Sequence, residues 1–184
     1  MTERNVRRNN DHELEFVDGP ELDSYLESIV ASVGWVVVYF NSLEDHVADF
    51  VRELVLRDPY QDERLEVFLC EMGYSAKCRA LVQLYGQLVE AGSVKISHAD
   101  TRAVETMLKE CASRRNEYAH ADWIGVRRDS YVRVKAVSSK TGVTHRYRRF
   151  DMSRLEADVQ YINNARFSLC EFHDKVQDQL WGRE

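Results

Sequence analysis

Apolar residues return every three or four positions from Leu22 to Val55, and no other feature constrains the fold of this chain as much. The series is Leu22, Tyr25, Leu26, Ile29, Val30, Val33, Val36, Val37, Phe40, Leu43, Val47, Phe50, Val51, Leu54 and Val55. Steps of three and four place these side chains along one side of a helix. Pro20 followed by Glu21 and Asp23 is a helix-start signal, because acidic groups suit the positive end of the helix dipole. No strong breaker intervenes before Asp58-Pro59, so the spacing predicts a single long helix over about 21–57. Trp35–Tyr39 reads locally like a strand, but its flanks are helical.

The same period recurs downstream. Residues 64–72 suggest a short helix, and Gly73 punctuates. Ser75 is a fair N-cap for a helix over 75–91, with Leu81, Val82, Leu84, Tyr85 and Leu88 along one side. A third long helix is expected over about 98–121, with Val104, Met107, Leu108, Cys111, Tyr118 and Ala119 as its stripe. The period then changes to two: Val132, Val134 and Ala136 alternate with Tyr131, Arg133 and Lys135. Past a turn at 138–142, Val143, His145 and Tyr147 alternate with Thr144, Arg146 and Arg148. This predicts a β-hairpin over about 130–149. Asp151 or Ser153 caps a last helix to about 180, built on Leu155, Val159, Ile162, Ala165, Leu169, Phe172, Val176 and Leu180.

The expected fold is therefore all-α: a four-helix bundle with a long first helix and a small hairpin inserted before the last. The domain organisation expected is a loose polar arm over 1–18 and a single helical domain over 19–184. At 44% hydrophobic residues, the chain is too apolar to be disordered. Met1–Asn10 is polar, with Arg4, Arg7 and Arg8, and lacks the apolar core of a secretory signal. The longest apolar stretch, 30–40, is interrupted by Ser32 and Gly34 and is too short to span a bilayer. The expected location is the cytoplasm, with no membrane partner. Cys70, Cys78, Cys111 and Cys170 form no CxxC pair and read as small buried hydrophobes.

Chemistry-bearing motifs are few. There is no glycine-rich phosphate loop and no HExxH. The six histidines show no paired ligand spacing, so no metal and no cofactor is expected. One segment differs from the rest: Ser113-Arg114-Arg115-Asn116-Glu117-Tyr118-Ala119-His120-Ala121-Asp122-Trp123, at the end of the third long helix. Asn116 and His120 are four apart and share a face. Arg115 lies about 140° round the helix from His120, yet its long guanidinium can curl toward the same cleft or reach a neighbouring subunit. An Arg beside a His suits phosphodiester chemistry. The imidazole can move the proton of a ribose 2′-OH or of the leaving oxygen, and the guanidinium can stabilise charge on the non-bridging oxygens. The plainer reading is that both residues favour the negative end of the helix dipole.

Arg115-Asn116-Glu117-Tyr118-Ala119-His120 resembles the Arg-x4–6-His motif of the HEPN superfamily, in the form with a polar residue directly after the Arg. Phe40-Asn41-Ser42-Leu43-Glu44 is similar to the F-x-x-L-E of the long first helix in one group of these proteins. Met72-Gly73-Tyr74-Ser75-Ala76-Lys77 is similar to the segment that opens their second helix. The resemblance covers roughly residues 22–180. It implies a HEPN-like bundle and a metal-independent endoribonuclease that leaves a 2′,3′-cyclic phosphate and a 5′-OH, in a defence or toxin–antitoxin setting. It also implies a homodimer with the motif at the subunit interface, an RNA substrate, and an antitoxin or other regulatory protein as a possible partner. Carried over, Arg115 and His120 take the catalytic roles and Asn116 orients the His or a phosphate. Glu44 either hydrogen-bonds Arg115 or His120 or is a solvated helix residue. Lys77 either supports the site or is an exposed lysine. The alternative reading is a non-catalytic HEPN-like dimer that binds RNA, nucleotide or protein.

The net charge of −6 is unevenly spread. Residues 114–149 hold ten basic residues against Glu117, Asp122 and Asp129, a balance of +7 that leaves −13 for the rest. Candidate RNA contacts are Arg114, Arg127, Arg128, Arg133, Lys135, Arg146 and Arg148. Strict alternation places Arg133 and Lys135 on one face with Tyr131, whose ring can stack on a base. It places Arg146 and Arg148 together on the partner strand, with His145 and Tyr147 free to pack on the helices.

Overall fold

The computed structural model describes residues 3–7, 16–127 and 130–182. About 68% of it is helical, with one small antiparallel sheet. In chain order the elements are β1 (Glu3–Arg7), α1 (Gly19–Val55), a 3-10 turn (Glu63–Leu65), α2 (Glu66–Glu71), α3 (Tyr74–Glu90), α4 (His98–Ala119), β2 (Tyr131–Ser139), β3 (Gly142–Arg149) and α5 (Met152–Trp181). The broadly all-α architecture expected from periodicity is present. Cap chemistry differs in one place: Gly73, not Ser75, is the N-cap of α3, and no side chain caps it. Asp151 caps α5, its carboxylate accepting from the Arg154 N–H at 2.9 Å and the Ser153 hydroxyl at 2.8 Å. These bonds hold the Asp151 carboxyl below its ordinary range.

The chain divides into two compact units. The helical unit comprises Val38–Ala112 and Tyr161–Glu184. Its core is Phe40, Leu43, Val47, Phe50, Val51, Leu69, Leu81, Tyr85, Leu108, Cys111, Ile162, Leu169 and Val176. Buried among them is His173, 1% exposed. Its ring stacks on Phe50 at 3.9 Å between centroids. The Tyr85 hydroxyl lies 2.9 Å from Nδ1, and a Glu53 carboxylate oxygen lies 3.0 Å from Nε2. With Tyr85 donating to Nδ1, the imidazole is neutral and donates from Nε2 to Glu53. Cys78 and Cys111 are buried as expected, whereas Cys70 is exposed and bonds Glu66 at 3.3 Å.

The sheet-bearing unit comprises the described residues of Met1–Val37 and Ser113–Gln160. Its strand order is β1-β3-β2, all antiparallel. The core gathers Ile29, Val36, Tyr118, Val126, Tyr131, Val132, Val134, Tyr147, Phe150 and Leu155. Tyr118, Trp123 and Phe150 pack ring against ring at 5.0–6.2 Å. The Tyr25 hydroxyl reaches the Phe150 carbonyl at 3.5 Å, and burial pushes its pKa up to about 12. Gly142, at φ +117°, opens β3 in a conformation that L side chains rarely adopt.

Three expectations are corrected here. Residues 3–7 are not a loose arm: they pair with β3 from Glu3↔Arg148 to Arg7↔Thr144. The hairpin does not alternate strictly. A register shift between Arg133 and Lys135 sets Arg133 opposite Tyr147 and Lys135 opposite Arg146. Adjacent residues of β3 point to opposite faces, so Arg133 and Lys135 do as well. Finally, α1 is long and apolar enough to cross a membrane by length and composition. Its 18-residue window has a mean hydropathy of 1.4 and is 22% buried. The interrupted stretch at 30–40, read by itself, understated this, because Ser32 and Gly34 break a run of apolar residues without lowering the mean much.

Candidate functional site

Helix α4 ends in a polar face. Ser113, Asn116, Glu117 and His120 stand at i, i+3, i+4 and i+7, which brings all four to one side. His120 follows the last helical residue, Ala119, but its N–H still donates to the Asn116 carbonyl at 3.1 Å, which extends the helical turn to it. Opposite this face lie Val134, Lys135, Ala136 and Arg146 of the hairpin. The eight residues line a cleft of about 500 Å³ within the sheet-bearing unit. The register shift is what builds its basic wall. By moving Lys135 opposite Arg146, it collects both cations on one face of the sheet.

Within the cleft, the side chains of His120 and Lys135 make no hydrogen bond or ion pair to a described residue. His120 is exposed, and its imidazole makes no hydrogen bond to a described residue. Lys135 is exposed and forms no ion pair with a described residue. Arg146 has only a long 3.7 Å contact to Glu3. Arg115 is half-buried and is not in the cleft wall; its Nη1 donates to the Asn116 side-chain oxygen at 3.1 Å. Arg115 thus acts on the cleft through Asn116, fixing which way that amide faces.

Two carboxylates organise the surrounding charges. Glu117, 14% exposed at its side chain, accepts from Arg148 and from Arg154, the latter at 3.2 Å. Arg148 also reaches Glu3 on β1 at 3.1 Å. Burial works against the Arg148 charge, but Glu3 and Glu117 outweigh it and hold the guanidinium pKa above its ordinary value. Asp158, 3% exposed, accepts from Arg114 and from the Tyr118 hydroxyl at 2.6 Å. Burial, reinforced by that bond to Asp158, pushes the Tyr118 hydroxyl pKa upward.

These networks sort the expected RNA contacts. Lys135 and Arg146 line the cleft. Arg114 and Arg148 are instead engaged by Asp158 and Glu117. Arg127 is buried at 8% exposure with its guanidinium 3.3 Å from the Phe16 ring centroid, so it does not face solvent. Arg133 bonds Asp122 at 2.8 Å on the sheet face opposite Lys135. Arg128 lies outside the described residues. Tyr131 is 6% exposed, with the Arg4 guanidinium 4.7 Å over its ring, and cannot stack on a base there. His145 and Tyr147 are buried, as expected. Glu44 and Lys77 belong to the helical unit and pair with each other at 2.9 Å.

Sequence reasoning missed Glu117 and Asp158 as organising groups. For Asp158 a signal exists: it sits three residues after Leu155 and four before Ile162, inside the apolar stripe of α5. A carboxylate in that position must be paired to be buried. For Glu117 the signal is its place on the 113–116–117–120 face. Among the described residues, no group of three or more His, Cys, Asp and Glu side chains is arranged to hold a metal ion. Compared with known proteins, no family model, curated protein or solved structure matches the chain.

Proposed function

We propose that this chain is a HEPN-type, metal-independent endoribonuclease that acts as a cytoplasmic homodimer in a defence or toxin–antitoxin setting. The observation that carries the reading is the cleft in which His120 and Asn116 face Lys135 and Arg146. A phosphodiester is an anion flanked by a nucleophilic 2′-OH and a leaving 5′ oxygen. Its cleavage requires cations near the non-bridging oxygens and a group that transfers protons. Lys135 and Arg146 supply the first and His120 the second. Asn116, held by Arg115, orients the imidazole or the phosphate. In the proposed dimer with the motifs facing, Arg115 of each protomer stabilises transition-state charge.

The test is cleavage of RNA in EDTA by the wild-type chain, His120→Ala and Arg115→Ala. The expected result is a loss of about 10²–10⁴-fold for His120→Ala with its melting temperature unchanged. Equal cleavage by all three ends the enzymatic reading.

A second reading is a non-catalytic module of the same fold that binds RNA, nucleotide or protein. It is favoured by the commitment of Arg114, Arg127 and Arg148 to intramolecular partners, which thins the basic surface. Salt-dependent RNA binding without cleavage supports it.

A further inference from the structure

We infer that Glu117 is the general base of the cleft and His120 its general acid. This rests on the ribonuclease reading and deepens it, since that reading leaves open which proton His120 moves. Glu117 and His120 are three residues apart at the C-terminal turn that ends α4, and they line the same cleft. That spacing puts their Cβ atoms about 5–6 Å apart, a suitable separation for two groups acting on opposite sides of one phosphate. The two differ in what surrounds them. His120 is exposed and its ring makes no bond to a described residue. Glu117 is held in the cleft lining by Arg148 and Arg154, and Arg148 is braced by Glu3. A held carboxylate is a defined proton acceptor, and an exposed imidazole that bonds no described residue can follow a departing oxygen.

The step balances without a further reactant. The 2′-OH proton passes to a Glu117 oxygen as O2′ forms its bond to phosphorus. The P–O5′ bond breaks, and the proton of the His120 imidazolium passes to O5′. The products are a 2′,3′-cyclic phosphate and a 5′-OH. Proton exchange with water then returns Glu117 to the carboxylate and His120 to the imidazolium. Lys135 and Arg146 face the non-bridging oxygens throughout. The charged and titratable groups around the pair are Arg148 and Glu3 from the sheet, Arg154 from α5, Lys135 and Arg146 from the hairpin, and Arg115 from α4 itself.

The experiment measures cleavage rate against pH for the wild type, Glu117→Gln, Glu117→Asp and His120→Ala on one RNA, with RNA affinity and melting temperature for each. The expected wild-type profile is a bell. Glu117→Gln is expected to lose about 10²–10⁴-fold and the acid limb of the bell, with RNA affinity retained. Glu117→Asp restores part of the rate and the acid limb. His120→Ala loses the alkaline limb instead. Glu117→Gln within three-fold of the wild type, or a swap of the two limbs, overturns the assignment. So does a loss that tracks melting temperature and is not rescued by Glu117→Asp, because that marks a structural brace. A wild-type chain that cuts no RNA removes the underlying reading, a result distinct from the others.

Discussion

Two histidines separate the units of this molecule. His173 in the helical unit is closed in by Phe50, Tyr85 and Glu53, with both ring nitrogens engaged. His120 in the sheet-bearing unit is exposed, with a ring that bonds no described residue. The same side chain is a fixed internal strut in one place and a solvent-facing group in the other. Burial makes the difference for His173, because a desolvated imidazole resists taking up charge.

The largest effect that tests this contrast lies in the sheet-bearing unit's own buried polar group. Asp158→Ala removes the acceptor for Arg114 and Tyr118 and is expected to lower stability by about 3–5 kcal/mol, read from chemical denaturation. A loss below about 1 kcal/mol makes the network peripheral. Next is Tyr85→Phe, which leaves His173 Nδ1 without its donor. It is expected to destabilise by about 1–3 kcal/mol while leaving the cleft's RNA affinity unchanged.

A pH series follows. Burial lowers the His173 pKa, and burial with the nearby Arg166 lowers that of His46. A histidine that stays neutral in the fold binds fewer protons there than in the unfolded chain. Its stabilisation is therefore complete above the unfolded value of about 6.5 and is lost as pH falls below it. Melting temperature should decline between about pH 6.5 and 5, above the range where carboxylates titrate. A flat curve there breaks the contrast. The smallest expected effect is on Lys135→Ala and Arg146→Ala. Each should change stability by less than about 0.5 kcal/mol and reduce the salt slope of RNA binding by about 1.

Helices were legible because each buries a stripe at its own period, and a stripe survives in the order of residues. The sheet was only half legible. β1, Glu3–Arg7, has a single apolar residue, Val6. An edge strand of this kind is held by main-chain bonds and by Glu3 against Arg148, neither of which leaves a pattern in local sequence. The shift beside Val134 breaks the very alternation from which the faces of Arg133 and Lys135 were inferred. Arg127 reads as a surface cation because nothing nearby in sequence announces that Phe16 covers it. For the candidate site, the face bearing Asn116 and His120 was readable from helix spacing. That Lys135 and Arg146 stand across from it required the fold.

The pairing of Glu3 with Arg148 has a consequence in time. The two residues are separated by 145 positions. At ribosomal rates of about 5–20 residues per second, β1 waits about 7–30 s for the strand that receives it. Helices α1 to α4 leave the ribosome well before β3 does. The hairpin wall of the cleft and the β1 pairing that braces Arg148 therefore form after α1 to α4 have emerged, with α5 still to follow. During synthesis, the emerging chain carries His120 and Glu117 before the hairpin residues that line the same cleft.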